Sequence, residues 1–412
     1  MIPEGWKKYK LKEIVADVAM GPFGSNLKVD NFIKSGVPVI RGSNLNKGGF
    51  QKENFAFVSE EKAQSLKRCL AYPDDLVFTH RGTLGQVGII PQNEYPYYLV
   101  SQSQMRLTVN RLYLNPKFLF YYFLSSKGQS ELLKNVSQVG VPAIANPTRS
   151  LKEVNVLVPP LPEQIQITSI LSSLDDKIEH NLQMNKTLEA IAQAIFKEWF
   201  VDFRFPGYEG ELIDGLPKGW IIGSLGDYCR IYRGASPRPI TDPKYFNNGI
   251  IPWIKIADAT SENSIYITKS KQYCTELAIT KSRFIRIGTL VLSNSATVGI
   301  PKILNIDGCV HDGWLIFDNY KLITRNFLFF ILHNNLSRFI SYADGSVQKN
   351  LNTEILKNLK FIVPDQTIIL KFDTISQTIF NKLLSNEIEN QNLIEIRDTL
   401  LPRLMTGKIR VT

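Results

Sequence analysis

The sequence predicts an α+β fold in which two similar mixed α/β domains alternate with two long helices, packed antiparallel on each other as a coiled coil. Three observations lead to this prediction: an internal repeat, a heptad pattern after each copy of the repeat, and the composition. The chain has 412 residues, of which 44% are hydrophobic and 11% aromatic. Such a chain is too apolar to stay disordered and long enough to form two or three hydrophobic cores.

The repeat is visible as short motifs that recur in the same order. Pro3–Trp6 matches Pro217–Trp220, and Thr83–Gly85 matches Thr297–Gly299, both at an offset of 214 residues. The offset later falls to 205, as expected when loops of the second copy have been shortened. Agreement in order over a whole domain length indicates duplication, because chance matches do not keep a common spacing.

Each copy has the pattern of a mixed α/β domain. Runs rich in Val, Ile and Leu between Gly, Pro and Asn predict strands at Val37–Arg41, Leu76–Thr79 and Leu290–Ser293. Crowded aromatic and leucine positions predict one helix per copy, at Pro116–Ser126 and at Arg325–Asn334.

A heptad pattern follows each copy, with steps that alternate between four and three residues. The positions are Ile167, Leu171, Leu174, Ile178, Asn181, Asn185, Leu188, Ala192, Ile195 and Trp199 in the first helix, and Phe372, Ser376, Ile379, Leu383, Asn386, Asn390, Leu393, Arg397, Leu400 and Leu404 in the second. The two asparagine positions coincide. Since a buried asparagine lowers stability but fixes register, the matched pairs predict that the two helices pack on each other. Alternatively, each helix packs only on its own domain.

These patterns divide the chain into five segments. The predicted boundaries are 1–160 for the first domain, 161–205 for the central helical region, 206–216 for a linker, 217–366 for the second domain and 367–412 for the distal helical region.

The charge follows the same division. Of the net charge of +10, residues 1–160 carry +8, residues 161–216 carry −6, residues 217–366 carry +7 and residues 367–412 carry +1. Two basic domains indicate two surfaces that neutralise phosphates, although ordinary lysine-rich surfaces are the alternative. The acidic connector repels DNA, so its outer face is expected to meet protein or, alternatively, only solvent. Its acidic residues between positions 161 and 200 are Glu163, Asp175, Asp176, Glu179, Glu189 and Glu198.

Motifs for catalysis and metal binding are missing from the sequence. The four cysteines are far apart and form no CxxC pair, and the four histidines form no HExxH motif. The sequence also has no GxGxxG motif, no Walker loop, and no Asn/Asp-Pro-Pro-aromatic motif of amino-methyltransferases. It has neither an apolar run of the roughly 18 residues that span a bilayer nor the pattern of a signal peptide. We therefore expect a cytoplasmic protein with no catalytic residues, no metal site and no membrane association.

Three motifs in the helical regions carry a family resemblance. Leu161–Gln164, Phe196–Phe203 and Arg397–Ile409 resemble segments of the specificity subunit of type I restriction-modification systems, which act in defence against foreign DNA. The resemblance extends over the whole chain, and its helical motifs are more specific than its domain motifs. It implies a prokaryotic, non-catalytic protein whose two target-recognition domains each read one half of a bipartite site in double-stranded DNA. The helices would set the number of unread base pairs between the halves.

The resemblance also implies partners. Two methyltransferase subunits would dock on this chain, and two restriction subunits are optional additions. S-adenosylmethionine, and ATP with Mg²⁺ where a restriction subunit is present, are expected in those partners, with no cofactor in this chain. Three alternatives stay open: a stand-alone bivalent DNA-binding regulator, a specificity subunit of a methylation-only system, and a nuclease or methyltransferase of an unrecognised type.

Polar loops that recur at equivalent places in both copies are the candidate DNA contacts, because base edges and phosphates are read by such side chains. The glycine-rich loop Gly21–Lys28 would let the backbone approach a phosphate. A late loop, Lys349–Leu351, is aligned with Ala145–Pro147. The candidates are Ser25, Asn26, Lys28, Arg41, Ser43, Asn44, His80, Arg81 and Gln102 in the first domain, and Arg233, Ser236, Arg238, Lys255, Asn294, His311 and Lys349 in the second. Turn formation by the glycines, solvated charge, and structural hydrogen bonds of the two histidines are the alternatives.

Overall fold

A computed structural model describes residues 2–45, 49–50, 54–137, 140–260, 264–343 and 350–411. The chain forms two compact units: unit 1 comprises Met1–Glu179 and Gln391–Thr412, and unit 2 comprises His180–Asn390. Each unit therefore contains one of the repeated domains and one part of each long helix. None of the helices in the described part of the chain is long and apolar enough to cross a membrane.

Unit 1 is built from short strands and short helices, followed by the first long helix. The strands are β1 (Lys7–Lys10), β2 (Val15–Met20), β3 (Val37–Ile40), β4 (Ala56–Val58), β5 (Leu70–Ala71), β6 (Leu76–Thr79), β7 (Val87–Ile89), β8 (Tyr98–Val100), β9 (Gln104–Val109), β10 (Val136–Ser137), β11 (Ala143–Ile144) and β12 (Asn155–Val158). The helices are α1 (Leu11–Ile14), α2 (Glu60–Ser65), α3 (Pro116–Leu124), α4 (Ser126–Leu132), α5 (Pro147–Lys152) and α6 (Leu161–Phe200).

Two four-stranded sheets organise this unit, in the orders β2-β9-β6-β7 and β4-β3-β8-β5. β3 and β8 run parallel, while the other neighbouring pairs of these sheets are antiparallel. The aromatic helix α3 and the inner face of the first sheet share one core, in which Phe78 and Phe123 meet edge to face at 4.9 Å between ring centroids. The first strand pairs with β12, directly before α6, and so attaches the start of the chain to the long helix.

Unit 2 repeats most of the elements of unit 1 in the same order and has several additional ones. Its strands are β13 (Leu212–Ile213), β14 (Leu216–Pro217), β15 (Ile221–Ser224), β16 (Arg230–Arg233), β17 (Ile251–Ile254), β18 (Tyr266–Ile267), β19 (Tyr273–Cys274), β20 (Arg283–Ile285), β21 (Leu290–Ser293), β22 (Pro301–Leu304), β23 (Gly308–Val310), β24 (Trp314–Asp318) and β25 (Lys360–Val363). Its helices are α7 (Leu225–Tyr228), α8 (Ile256–Thr260), α9 (Glu276–Ile279), α10 (Arg325–Asn334), α11 (Leu336–Ala343), α12 (Thr353–Lys357) and α13 (Gln366–Met405).

The two units share one topology. The sheets of unit 2 have the orders β16-β24-β21-β22-β18 and β19-β17-β23-β20, so that β16, β24, β21 and β22 occupy the places of β2, β9, β6 and β7. β17 and β23 are parallel, as β3 and β8 are in unit 1. Even the first turn repeats, because the Trp6 N–H donates to the Pro3 carbonyl (3.1 Å) and the Trp220 N–H to the Pro217 carbonyl (3.0 Å). The predicted α+β fold with a duplicated domain is confirmed.

Most of the predicted elements lie where the structure has them, with one correction. Leu76–Thr79, Leu290–Ser293 and Arg325–Asn334 have the predicted bounds. The helix predicted over Pro116–Ser126 is confirmed as α3, but it ends two residues earlier, at Leu124, and a separate helix, α4, begins at Ser126. Between them the backbone of Ser125 is extended, and its hydroxyl accepts from the Gly128 N–H, which caps the new helix.

Both long helices are 40 residues long, and within unit 2 they pack antiparallel on each other. The Asn181 side-chain N–H donates to Asn390 Oδ1 (2.9 Å), and the Asn386 side-chain N–H donates to Asn185 Oδ1 (2.8 Å). The residue number rises along α6 as it falls along α13, so the helices run in opposite directions. Asn181, Asn386 and Asn390 are buried. Since a shifted register would leave these amides without partners, the two pairs fix the alignment of the helices.

Within unit 1 the other ends of the long helices also meet. Arg397 on α13 donates to Asp175 Oδ1 (2.8 Å), and Asp175 Oδ2 accepts from the Tyr121 hydroxyl (2.7 Å). Glu163, which is buried in the first turn of α6, accepts from the Trp6 indole N–H (3.0 Å) and from the Arg410 guanidinium (2.7 Å). A buried carboxylate with these charged and neutral donors is fully paired, so it ties both ends of the chain to α6.

The prediction that Glu163 and Asp175 belong to an acidic outer face of the connector is wrong. Their carboxylates accept hydrogen bonds inside unit 1. Glu189 is partly buried in unit 2, where burial raises the pKa of its carboxyl group. Heptad periodicity shows which face of a helix is apolar. A charged side chain of that helix can still be internal when a donor from a distant segment, such as Trp6 or Arg410, pairs with it.

We expect Asn181→Ala to lower the free energy of unfolding by about 1–3 kcal/mol, because Asn390 then loses a buried partner. Replacing both Asn181 and Asn390 by leucine should be neutral or stabilising, since an apolar pair needs no hydrogen bonds. Thermal and urea unfolding measure both effects. The control is Asn392→Ala, at an exposed position of α13 two residues after Asn390, with an expected change within about 0.5 kcal/mol. An equal effect of Asn181→Ala and Asn392→Ala would contradict the assignment.

Candidate nucleic-acid interface

Four loops of unit 1 meet at one edge of its two sheets. They follow β2, β3 and β6, and precede β9. The Gly21 N–H donates to the Gln104 carbonyl (2.9 Å), the His80 N–H to the Ser103 carbonyl (3.0 Å) and the Ser101 N–H to the Ile40 carbonyl (2.9 Å). Backbone hydrogen bonds therefore bring together segments that are up to 83 residues apart in the sequence.

The first of these loops begins with Gly21, a position that has no room for a side chain. A Cβ atom on Gly21 would lie 1.9 Å from the Ser101 carbonyl oxygen, and one on Gly234 in unit 2 would lie 2.1 Å from the His311 carbonyl oxygen. Backbone atoms cannot move aside as a flexible side chain can, so any larger residue would separate the loop from the edge. The two glycines occupy equivalent places, which shows that the repeat extends to the loops as well as the strands.

An open groove lies at this edge of unit 1, and three of the predicted polar loops contribute to it. Arg81 and Gln102 line the groove with exposed side chains. Ser25, Asn26 and Lys28, farther along the loop that begins at Gly21, are also exposed. Phe23 and Val141, whose exposed fractions are 78% and 54%, were not predicted from the sequence. The groove is lined by Met20, Gly21, Pro22, Phe23, Gly24, His80, Arg81, Gly82, Gln102, Ser103 and Val141.

Two predicted contacts of unit 1 are disfavoured by burial. The amide oxygen of Asn44 accepts from the Arg41 N–H (3.0 Å), and the side chain is 1% exposed. His80 is also buried, and its Nε2 lies 3.1 Å from the Gln102 carbonyl, to which the ring donates. Burial lowers the pKa of His80, so the ring stays neutral. Both side chains hold the loops in place, and we withdraw them as base contacts.

Arg41 and Ser43, in contrast, remain accessible. Arg41 is exposed at the end of β3, and its guanidinium donates to the Asn54 carbonyl (3.1 Å). The equivalent residue of unit 2 is Lys255 at the end of β17, whose N–H donates to Asp258 Oδ2 (2.8 Å). The turn after this strand thus begins with a cationic residue in each unit, Arg41 or Lys255. The backbone N–H of that residue is capped by the side chain of Asn44 or Asp258.

The corresponding edge of unit 2 is built in the same way. The Gly234 N–H donates to the Trp314 carbonyl (2.9 Å), and the Asn294 N–H donates to the Gly313 carbonyl (2.9 Å). Ser236, Arg238 and Lys255, all predicted from the sequence, line one pocket together with Ile240, Trp253, His311 and Asp312.

Asp312 is the centre of the polar contacts at this edge. Its carboxylate accepts from the Ser236 hydroxyl (2.7 Å) and from Arg238 Nη2 (3.1 Å), and Arg233 Nη2 lies 4.0 Å away. Burial raises the pKa of this carboxyl, but the Ser236 hydroxyl and the two guanidinium groups outweigh burial, so the pKa lies below its ordinary value. Asp312 is therefore ionised at neutral pH.

Two predicted contacts of unit 2 are also internal. Asn294 is 1% exposed and donates to the Asp312 carbonyl (3.1 Å), so we withdraw it as a base contact. The ring nitrogens Nε2 and Nδ1 of His311 lie 3.1 Å and 2.9 Å from the N–H groups of Ile256 and Gly313. Burial lowers the pKa of His311, and the neutral ring can accept from one of these two groups. His311 thus supports the loop rather than carrying charge to the surface.

The late loop needs a corrected alignment. Lys349 lies outside the described residues, so its predicted contact stays a prediction. The Ile144 N–H donates to the His80 carbonyl (2.9 Å), and the Leu351 N–H donates to the Asn294 carbonyl (3.0 Å). Leu351 therefore corresponds to Ile144, not to Pro147. The error arose because the offset between the copies changes gradually, and a short polar loop has too few landmarks to reveal the change.

Two units of one topology, each with a loop edge rich in polar and cationic side chains, define a duplicated recognition protein. Within the described ranges, His, Cys, Asp and Glu side chains form no cluster that could hold a metal ion. A family model described as "Type I restriction modification DNA specificity domain" matches residues 3–190 and 217–396. The chain belongs to this family of type I restriction-modification specificity subunits.

Individual relatives agree with the family. The chain is 28% identical to the type I restriction enzyme MjaIX specificity subunit of Methanocaldococcus jannaschii, with 100% of this chain and 95% of that protein covered. It is also 28% identical to the HindI specificity subunit of Haemophilus influenzae, with 77% of this chain and 82% of that protein covered. The crystal structure of a type I S subunit from M. genitalium shares the fold, with a TM-score of 0.63, 15% identity and coverage of 97% and 96%.

We expect Arg41→Ala to weaken DNA binding by about 1–3 kcal/mol and to relax discrimination only in one half of the site, if this guanidinium reads a base. Binding of duplexes with single base changes measures the effect. Arg111→Ala is a suitable control, because Arg111 is also exposed but follows the opposite end of β9, where it pairs with Asp74. Uniform weakening with a shallower salt slope would identify a phosphate contact instead. An equal loss in the control would place the interface elsewhere.

Proposed function

We propose that this chain reads a bipartite site in double-stranded DNA, with one half read at the loop edge of each unit. The observation that carries the proposal is the equivalence of the two edges: the same four loops meet in each unit, yet their side chains differ. Shared backbone contacts with different polar side chains are what two readers of unlike sequences require, because base edges are distinguished by their donors and acceptors. The family of DNA specificity domains supports the same function.

The proposal includes the division of chemistry between subunits. This chain would supply recognition alone, and docked methyltransferase subunits with S-adenosylmethionine would modify the DNA. Restriction subunits, where present, would use ATP with Mg²⁺. The sequence has none of the methyl-transfer or nucleotide-binding motifs discussed above, which favours this division over an enzyme of an unrecognised type.

The docking surface is assigned to the long helices. On the parts of these helices that belong to unit 2, Leu182, Met184, Ile191 and Ile388 expose between 41% and 45% of their surface. Large apolar side chains that face water on a helix favour contact with another protein. Glu163 and Asp175 do not contribute to such a surface, because they are used internally, whereas Asp176 and Glu179 remain exposed on α6.

Exchange of one domain for that of a related specificity subunit tests bipartite reading. We expect a chain with a new segment 1–160, co-expressed with its methyltransferase subunits, to methylate a two-part motif in which one half has changed and the other has not. Exchange of 217–366 should change the other half alone. Sequencing of methylated adenines provides the measurement. A contiguous motif would refute bipartite reading, whereas specific binding without any partner would favour the stand-alone regulator.

The long helices are proposed to set the unread spacer. Because Asn185 pairs with Asn386, a heptad inserted after Asn185 needs a matching heptad before Asn386 to preserve both asparagine pairs. Seven residues add about 10 Å of helix, so the spacer should lengthen by up to about three base pairs of 3.4 Å each. The half-sites should stay the same, as methylation mapping would show. A single heptad in α6 alone is the control and should disrupt the helix pair. Altered half-sites in the doubly extended chain would refute the idea.

A further inference from the structure

An acidic side chain lies at the centre of the edge that is proposed to meet DNA in unit 2. Asp312 follows β23 and precedes β24, in the loop that corresponds to Gln102 of unit 1. A carboxylate at such a place opposes the approach of phosphates, since it offsets one of the nearby cations. Its side chain nevertheless keeps 35% of its surface exposed, so the charge faces solvent and, by the proposed function, DNA.

Asp312 contacts two arginines, Arg233 and Arg238. Arg238 Nη2 donates to Asp312 Oδ2 (3.1 Å), while Arg233 approaches the same oxygen to 4.0 Å and also donates through Nε to the Asp312 carbonyl. The carboxylate itself is held by the Ser236 hydroxyl at Oδ1 (2.7 Å). Arg233 and Arg238 remain 52% and 72% exposed, so each keeps donors free to face a ligand.

A held arginine and a free arginine differ in what they recognise. A free guanidinium can turn towards any phosphate, and this contributes to binding of every sequence. A guanidinium held in one orientation can make the two parallel hydrogen bonds to O6 and N7 of guanine without first losing its rotamer freedom. The carboxylate therefore changes the balance between specific and general binding in two ways, through orientation and through charge.

We propose that Asp312 is the positioning residue that makes unit 2 selective: it orients Arg233 and Arg238 to read guanine and weakens the contacts of these arginines with the phosphates of unrelated DNA. The inference rests on the proposed function of the chain. It assigns at least one G·C base pair to the half-site of unit 2. In unit 1 the uncharged Gln102 occupies the corresponding loop, so the same device is absent from that position.

The test compares Asp312→Asn with wild type in the full chain assembled with its methyltransferase subunits. Binding is measured on a duplex with the mapped motif and on a duplex of the same length with a scrambled motif, over a range of salt concentrations. The amide keeps the shape and the contact with Ser236 but removes the charge. We expect tighter binding to scrambled DNA with a steeper salt slope, weaker binding to the motif, and a ratio of the two affinities that falls about tenfold or more.

Asp318→Asn is the matched control. Asp318 ends β24, at the opposite end of the strand from Asp312, it pairs with Arg230, and its side chain is 32% exposed. It is therefore similar in chemistry and exposure but distant from the loop edge along the strand. We expect its affinity ratio to equal that of wild type. An equal fall in both variants would overturn the proposal, because a general loss of negative charge would then explain the result.

Two further arms separate positioning from a structural role. Ser236→Ala leaves the charge but loosens the carboxylate, so motif binding should fall without any gain on scrambled DNA. 7-Deazaguanine lacks the N7 acceptor, so motif duplexes that contain it should bind wild type more weakly than duplexes with guanine. This loss of affinity should be smaller for Asp312→Asn. Equal weakening of both duplexes, or an unchanged 7-deazaguanine penalty, would overturn the proposal. If wild type shows no two-part motif, the proposed function itself fails, which is a separate outcome.

Discussion

The antiparallel contact between the two long helices is the constraint on which the rest of the structure depends. In unit 2 the pairs Asn181–Asn390 and Asn185–Asn386 select one register, because any other leaves buried amides unpaired. In unit 1 the ion pair between Asp175 and Arg397 plays the same role at the other ends of the helices. Each unit therefore takes one part of both helices into its core, and neither helix belongs to one domain alone.

The loop edges of the two units combine equivalent backbone contacts with different side chains. Equivalent glycines, Gly21 and Gly234, allow each first loop to lie directly on a neighbouring carbonyl. Conserving this contact leaves the outward side chains free to differ, as Gln102 and Asp312 do at corresponding places. Buried residues such as His80 and Asn294 support these loops, while Arg41 and Arg238 are exposed at the edge. In the proposed function the exposed residues contact DNA, and the buried ones hold them in place.

Much of the fold could be predicted because its signals are local or repeated. The heptads identified both long helices, and the matched asparagines indicated their contact. Site prediction was weaker, since it relied on residue type alone. Asn44 and Asn294 are polar residues in the expected loops, yet both turn inward to satisfy backbone groups. Phe23 is apolar but 78% exposed, so a search for polar residues could not find it.

The sequence by itself determined the duplication, the two helices, the charge on each domain and the family, because periodicity, order and composition are properties of the chain read along its length. Only the tertiary structure decided which side chains face outward at the loop edges, since hydrogen bonds between distant segments make that choice. The acidic connector illustrates the difference. Its charge of −6 suggested an outer face, but Trp6 and Arg410, more than 150 residues away on either side, draw Glu163 inward. Pairing in three dimensions decides where a charge lies, because burying a carboxylate without donors is too costly.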